Sequence, residues 1–217
     1  IRDVAVTGVQ TCALPIWMAE LMRAEDSDTP HGPLIDEIVS AVEQGAKLSA
    51  QLMTLNLEKP SNVVPVSICA QVDGMRPFLG RLLNNQLQLD VELAEGLPLV
   101  PVDPVHVEQI LMNLVLNAVD ATPPGGRIVV AVQVEQEGPA AEAAVCLRVR
   151  DTGAGIPSEL LDRVFEPYFT TKADKGTGLG LANVRAIAER YRGSASIESA
   201  LGTGTTVSVR IPVRAGR

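Results

Sequence analysis

NLVLNAVDA, residues Asn113 to Ala121, closes a helical pattern that starts near Pro104 and stops at Pro123-Pro124-Gly125-Gly126. Gln109, Asn113 and Asn117 recur at i, i+4 and i+8, so they stack on one helical face. Ile110, Leu111, Leu114 and Ala118 take the side that a core would cover. A row of neutral amides offers carbonyl oxygens to a hard cation and tolerates phosphate nearby. A row of carboxylates would repel that phosphate. Taken alone, the same face fits a solvated helix equally well.

The motifs that follow narrow the choice. DTGAGIP (Asp151–Pro157) comes directly after a strand pattern. Its carboxylate can accept from an exocyclic amino group, and its two glycines let a flat ring approach the backbone. The alternative is an ordinary Asp-Gly turn. FEPYFTTK (Phe165–Lys172) reads as a loop pinned by aromatics, with Lys172 able to reach a terminal phosphate. GTGLGLA (Gly176–Ala182) opens a helix whose first amides suit an anion. It lacks the preceding strand of a dinucleotide fold and the GK[ST] of a P-loop, which sets both of those readings aside. GTGTT (Gly202–Thr206) starts a strand with a hydroxyl pair able to bond a purine edge or a water. Each piece alone is weak. In this order, together they describe a site for a nucleotide with magnesium.

Around these motifs helix and strand alternate. Strands are expected at Val63–Val66, Leu87–Glu92, Arg127–Val134, Ala144–Arg150, Ser194–Glu198 and Thr205–Pro212, and helices at Cys69–Leu83, up to Ala121 after the Pro98–Pro104 turn, and Leu179–Tyr191. A short helix is expected over Glu159–Arg163, then an irregular loop from Phe165 to Gly178. No internal repeat is present. The fold class is α+β, a two-layer α/β sandwich with one layer of helices on a mixed sheet. Upstream, Trp17–Arg23 reads as a helix end, Asp26–Pro33 as a loop, and Leu34–Leu57 as a second helix. Ile38, Ala41, Gly45, Leu48, Leu52 and Leu55 give that helix a bundle stripe. A hairpin of this kind buries its stripe most economically on a second copy of itself.

Composition agrees. The 217 residues are 46% hydrophobic but only 3% aromatic, so the core is built from aliphatic side chains. A net charge of -8 argues against a nonspecific grip on nucleic acid or an anionic membrane. Cys12, Cys69 and Cys146 lie far apart with no CxxC spacing, which excludes a zinc or disulfide framework and suits a reducing, cytoplasmic compartment.

The five segments resemble the N, G1, F, G2 and G3 boxes of the histidine-kinase ATP-binding domain, within the gyrase, Hsp90, histidine-kinase and MutL superfamily. The resemblance runs from about Val63 to Pro212, with residues 63–213 as the catalytic domain. Residues 17–59 resemble part of the dimerisation and histidine-phosphotransfer hairpin. The resemblance implies ATP and Mg2+, with Asn117 as the metal ligand and Asp151 reading the adenine amino group. Asn113 falls where superfamily ATPases carry a catalytic Glu. An amide cannot act as that base, which suits transfer to protein more than attack by water. Lys172 would serve the γ-phosphate and Thr205 the adenine-side network. Gly153, Gly155, Gly176, Gly178 and Gly180 would let backbone and lid close on the nucleotide. Ile156, Phe165, Thr171, Leu179 and Leu181 would complete its pocket. The implied partners are a response-regulator receiver domain and a second copy of the chain through the hairpin, with no nucleic acid. Val119 and Asp120 stand where many relatives have a basic residue, so phosphate charge must be met elsewhere.

A kinase of this type needs a phosphoacceptor histidine. His31 lies in a Pro-Gly loop, and His106 in the first turn of the Asn113 helix, where capping or packing is the expected role. The acceptor is expected about three to four turns before Glu20. Residues 1–16, IRDVAVTGVQTCALPI, back-translate in frame onto a widely used sequencing-adapter oligonucleotide. The expectation is therefore that this stretch is not native and that the acceptor helix belongs upstream of Trp17.

Overall fold

The computed structural model describes residues 62–83, 86–136, 143–171 and 178–213. All of them belong to one unit, Pro60–Arg217. The hairpin expected over 17–59 lies outside the described residues. Among the described residues, ten α-helices and strands follow in order: β1 (Val64–Val66), α1 (Ile68–Leu82), β2 (Gln88–Leu93), β3 (Val100–Val102), α2 (Pro104–Ala121), β4 (Arg127–Glu135), β5 (Ala144–Asp151), α3 (Gly180–Arg190), β6 (Ser194–Ala200) and β7 (Gly204–Pro212).

Period-two alternation puts Ile128, Val130 and Val132 of β4, Leu147 and Val149 of β5, and Val207, Val209 and Ile211 of β7 into the core. The five-stranded sheet runs β2-β4-β5-β7-β6, with β2 and β4 parallel and every other pair antiparallel. The three helices form the second layer: α2 lies against β4 and β5, α3 against β6 and β7, and α1 beside α2 and β2. Helix α2 contributes Val107, Ile110, Leu111, Leu114, Val115 and Ala118, and α3 contributes Val184, Ile187 and Ala188. Each buried aliphatic side chain stabilises the sandwich by roughly 1.5–3 kcal/mol before entropy is counted. The expected α/β sandwich is the fold.

Two expectations need correction. Pro98–Pro104 is not only a turn, because β3 sits inside it and pairs antiparallel with β1. Both strands read Val-Pro-Val, and Pro65 faces Pro101. Proline cannot donate to a ladder, so this pair must be of the kind whose amide nitrogens point away from the partner strand. The ladder bonds then fall to the flanking valines. Second, Glu159–Arg163 is not an α-helix; a single 3-10 turn spans Ser158–Leu160. Pro157 fixes where that turn starts, and no side chain caps it.

Candidate functional site

The walls of the site come from α2, the start of α3, the loop after β5 and the β6–β7 turn. Two of the three helices are capped at their N-termini by side chains. Ser67 Oγ accepts the Ala70 N–H at 3.3 Å for α1, and Asp103 Oδ1 accepts the Val105 N–H at 3.0 Å for α2. Helix α3 has no such cap, since Leu179 occupies the capping position. Its first residue, Gly180, packs against the amide row. A Cβ placed on Gly180 would lie 3.4 Å from Asn117 Nδ2, 3.7 Å from Asn117 Oδ1 and 3.7 Å from Asn113 Oδ1. The orphan N–H groups at the start of a helix carry partial positive charge. Here they adjoin the two amides. Gln109 extends the same face of α2 and, like both asparagines, is half-buried.

Asp151 ends β5 and is 5% exposed. Its Oδ1 accepts the Gly153 N–H at 2.8 Å and the Thr205 N–H at 3.1 Å. Burial pushes the carboxyl above its ordinary range, against the pull of those two N–H groups. The loop that follows is held tightly. A Cβ on Gly153 would meet the Ala121 carbonyl oxygen at 2.4 Å, so the loop abuts the last turn of α2. Gly155 has φ +71°, and a Cβ there would fall 2.0 Å from the Ala200 carbonyl oxygen. Ile156 donates its N–H to Ser199 Oγ at 2.8 Å. Ser199 also contacts Thr205 Oγ1 at 2.9 Å and the Gly204 carbonyl oxygen at 2.9 Å. Sequence reasoning missed Ser199. No local motif marks it, and its partners lie on two separate segments, the loop after β5 and the start of β7.

Phe165 is half-buried, with the Arg185 guanidinium 5.8 Å from its ring centroid, and Arg163 stacks over Phe169 at 4.5 Å. Tyr168, at φ 66°, donates its N–H to the Gly178 carbonyl oxygen at 3.0 Å, so the two ends of the loop are tied together. Thr171 is exposed, while Leu179 and Leu181 are half-buried at the start of α3. Lys172 and Gly176 lie outside the described residues. His106 packs, as expected: its Nδ1 is 2.6 Å from the Tyr191 hydroxyl, which also accepts the Asp103 N–H at 3.0 Å. Burial lowers the imidazole's pKa, Arg190 acts in the same direction, and Asp103 opposes both.

The donor set fits a magnesium ion that arrives with its phosphates. No group of three or more His, Cys, Asp or Glu residues able to hold a metal exists among the described residues. Magnesium needs few protein ligands when phosphates supply the rest, and an amide oxygen is a suitable hard donor. Among the described residues, no helix is long and apolar enough to cross a membrane.

Residues 102–215 match the family model described as histidine kinase-, DNA gyrase B-, and HSP90-like ATPase. The chain is 34% identical over 203 residues to sensor kinase CckA of Brucella abortus (strain 2308), covering 88% of this chain and 21% of that protein. It is 40% identical over 134 residues to sensor histidine kinase ZraS of Escherichia coli (strain K12), covering 62% of this chain and 27% of that protein. The chain thus spans about a fifth to a quarter of these relatives' length. Among solved structures, the catalytic domain of histidine kinase ThkA aligns with a TM-score of 0.59 at 27% identity, over 70% of this chain and 95% of that one. Full-length ShkA in complex with AMPPNP shares the fold, with a TM-score of 0.69 at 20% identity over 95% of this chain and 44% of that one. By the match to the family model, and by its identity to sensor kinases over most of its length, the chain belongs to the histidine kinase-, DNA gyrase B-, and HSP90-like ATPase family.

Proposed function

We propose that this chain is the catalytic portion of a sensor histidine kinase in a two-component system. It binds ATP with Mg2+ and transfers the γ-phosphate to a protein histidine, for relay to a receiver-domain aspartate. What supports the reading most is the uncapped start of α3 beside Asn113 and Asn117, a place where fixed positive dipoles and neutral oxygen donors adjoin. The AMPPNP bound by ShkA, a protein of the same fold, is consistent with it.

In this reading Asn117 holds the magnesium ion through its amide oxygen, and the ion neutralises phosphate charge. Asn113 lies one turn away and orients the triphosphate by hydrogen bonding. Asp151 accepts from the adenine amino group, and Thr205 supports it. Gly153, Gly155 and Ile156 form the floor under the ring, with Leu181 beside it. Gly178 and Gly180 let the loop and the start of α3 come close to the phosphates, and Lys172 and Gly176 complete that lid. An imidazole nitrogen of the acceptor attacks phosphorus, the β–γ bridge breaks, and ADP leaves. The protein's part is positioning and charge neutralisation. Residues 63–213 form the catalytic domain, and residues 17–59 belong to the hairpin through which two copies pair. The portion is cytoplasmic, facing its receiver domain.

The test mixes the chain with a separate hairpin carrying an acceptor histidine and γ-labelled ATP. Acid-labile label on the hairpin is expected. Nucleotide binding without transfer identifies a noncatalytic ATP-responsive module instead. Free phosphate, or acid-stable label, identifies an ATPase or a serine kinase.

A further inference from the structure

Ser199 belongs to none of the sequence motifs, yet its hydroxyl joins the loop after Asp151 to the β6–β7 turn. Its Oγ accepts the Ile156 N–H at 2.8 Å and lies 2.9 Å from both the Gly204 carbonyl oxygen and Thr205 Oγ1. A carbonyl oxygen only accepts, so the single Ser199 proton goes to Gly204. A serine hydroxyl has one proton and two acceptor positions. One acceptor position is taken by Ile156, which leaves the other for the Thr205 proton. The hydroxyl is then fully used.

The consequence falls on Thr205, which is 8% exposed. Its proton is held by Ser199, and its Oγ1 has only lone pairs left to offer. Its backbone N–H is committed to Asp151 Oδ1, the oxygen that Gly153 also uses. Asp151 Oδ2 has no hydrogen bond among the described residues.

We infer that Ser199 is a positioning residue that sets base specificity. By taking the Thr205 proton it makes the Asp151–Thr205 corner a surface of acceptors alone. Such a corner matches the amino group of a 6-aminopurine, which carries two donors, and opposes the carbonyl of a 6-oxopurine. A site built around one hydrogen-bonding pattern rejects a ligand that leaves its polar groups unpaired. The inference rests on the proposal that Asp151 reads the adenine ring.

The experiment measures dissociation constants of the whole chain for ATP and for inosine triphosphate, in wild type, Ser199→Ala, Ser199→Cys and Ser199→Thr. Wild type is expected to favour ATP. Ser199→Ala frees the Thr205 proton, so ATP binding weakens about three- to tenfold, while inosine triphosphate binds as well as before or better. The cysteine variant fills the same space with a weak acceptor and is expected to lose discrimination too, even where the alanine variant is too unstable to measure. The threonine variant keeps the hydroxyl and restores the wild-type ratio. Equal loss of both nucleotides, or an unchanged ratio in the alanine and cysteine variants, overturns the role of Ser199 alone. A wild type that does not discriminate at all overturns the adenine reading on which it stands.

Discussion

Asp151 is held between two opposing effects. Burial disfavours its charge, whereas the Gly153 and Thr205 N–H groups favour it, and burial is the larger. An acid whose pKa is raised on folding contributes stability that is fully present at low pH. That contribution is lost as pH rises from the ordinary carboxylate range through the raised value. Asp151→Asn removes the buried charge but keeps an oxygen for both N–H groups. The variant is expected to melt no lower than wild type at pH 7 and to lose the acid-side slope in stability. Its ATP affinity should fall by about 1.5–3 kcal/mol, because an amide donor can face the amino group. Paired thermal melts and calorimetric titrations check both halves; a variant with lower melting temperature and intact affinity would contradict the assignment. Asp151 could be found from its DTG context. Ser199 could not, because a lone serine on an edge strand acquires meaning only when the fold brings Ile156 and Gly204 to it.

The Tyr191 hydroxyl ties helices α2 and α3 together at one end. Tyr191, just after α3, accepts the Asp103 N–H that precedes α2 and contacts His106 in its first turn. Tyr191→Phe strands that N–H and is expected to cost about 1–3 kcal/mol in denaturant unfolding. The burial of His106 predicts a pH effect. A base whose pKa is lowered on folding contributes stability present above its ordinary value, about 6.5, and lost as pH falls below it. Acid destabilisation below that point should therefore be shallower in His106→Gln, read as melting temperature against pH. At the opposite end of α3, Gly180→Val would drive methyl groups into Asn113 and Asn117. Near wild-type stability with ATP affinity reduced at least about tenfold is expected, because the change meets amides that a ligand needs and not the core. Titration together with a melt measures both. The long elements were legible because α2 and the central strands repeat their apolar residues at clear periods. Strand β3 was not, since its three residues sit between Pro98 and Pro104, and that density of prolines reads as a turn. The 3-10 turn at Ser158–Leu160 was overread as a helix because one turn has no period to test.

At the scale of the molecule, a chain with a formal charge of -8 meets any anionic ligand against its own net charge. In the proposed reading, local dipoles and neutral amides, rather than a basic surface, meet such a ligand. Net charge therefore predicts what the protein avoids: no measurable binding to duplex DNA at about 0.15 M salt, checked by fluorescence anisotropy. The order of the five motifs made the site legible in outline, because each fixes a chemical type at one place on a known succession of elements. What the order could not convey was polarity within the corner, since the direction of a hydroxyl depends on partners far away in the chain.

The Val-Pro-Val ribbon also closes itself to further strands. The chain enters the described unit at Asn62, whose N–H is held by Asp103 Oδ2 at 2.8 Å, and passes at once into β1. With Pro65 and Pro101 opposite each other, neither outer edge of this ribbon offers an amide at its centre for a third strand. Val66, Val100 and Val102 are rooted in the core. Asp103 thus holds the incoming chain with Oδ2 and the first turn of α2 with Oδ1, so one carboxylate serves both the entry of the chain and the base of the helix that carries the two asparagines.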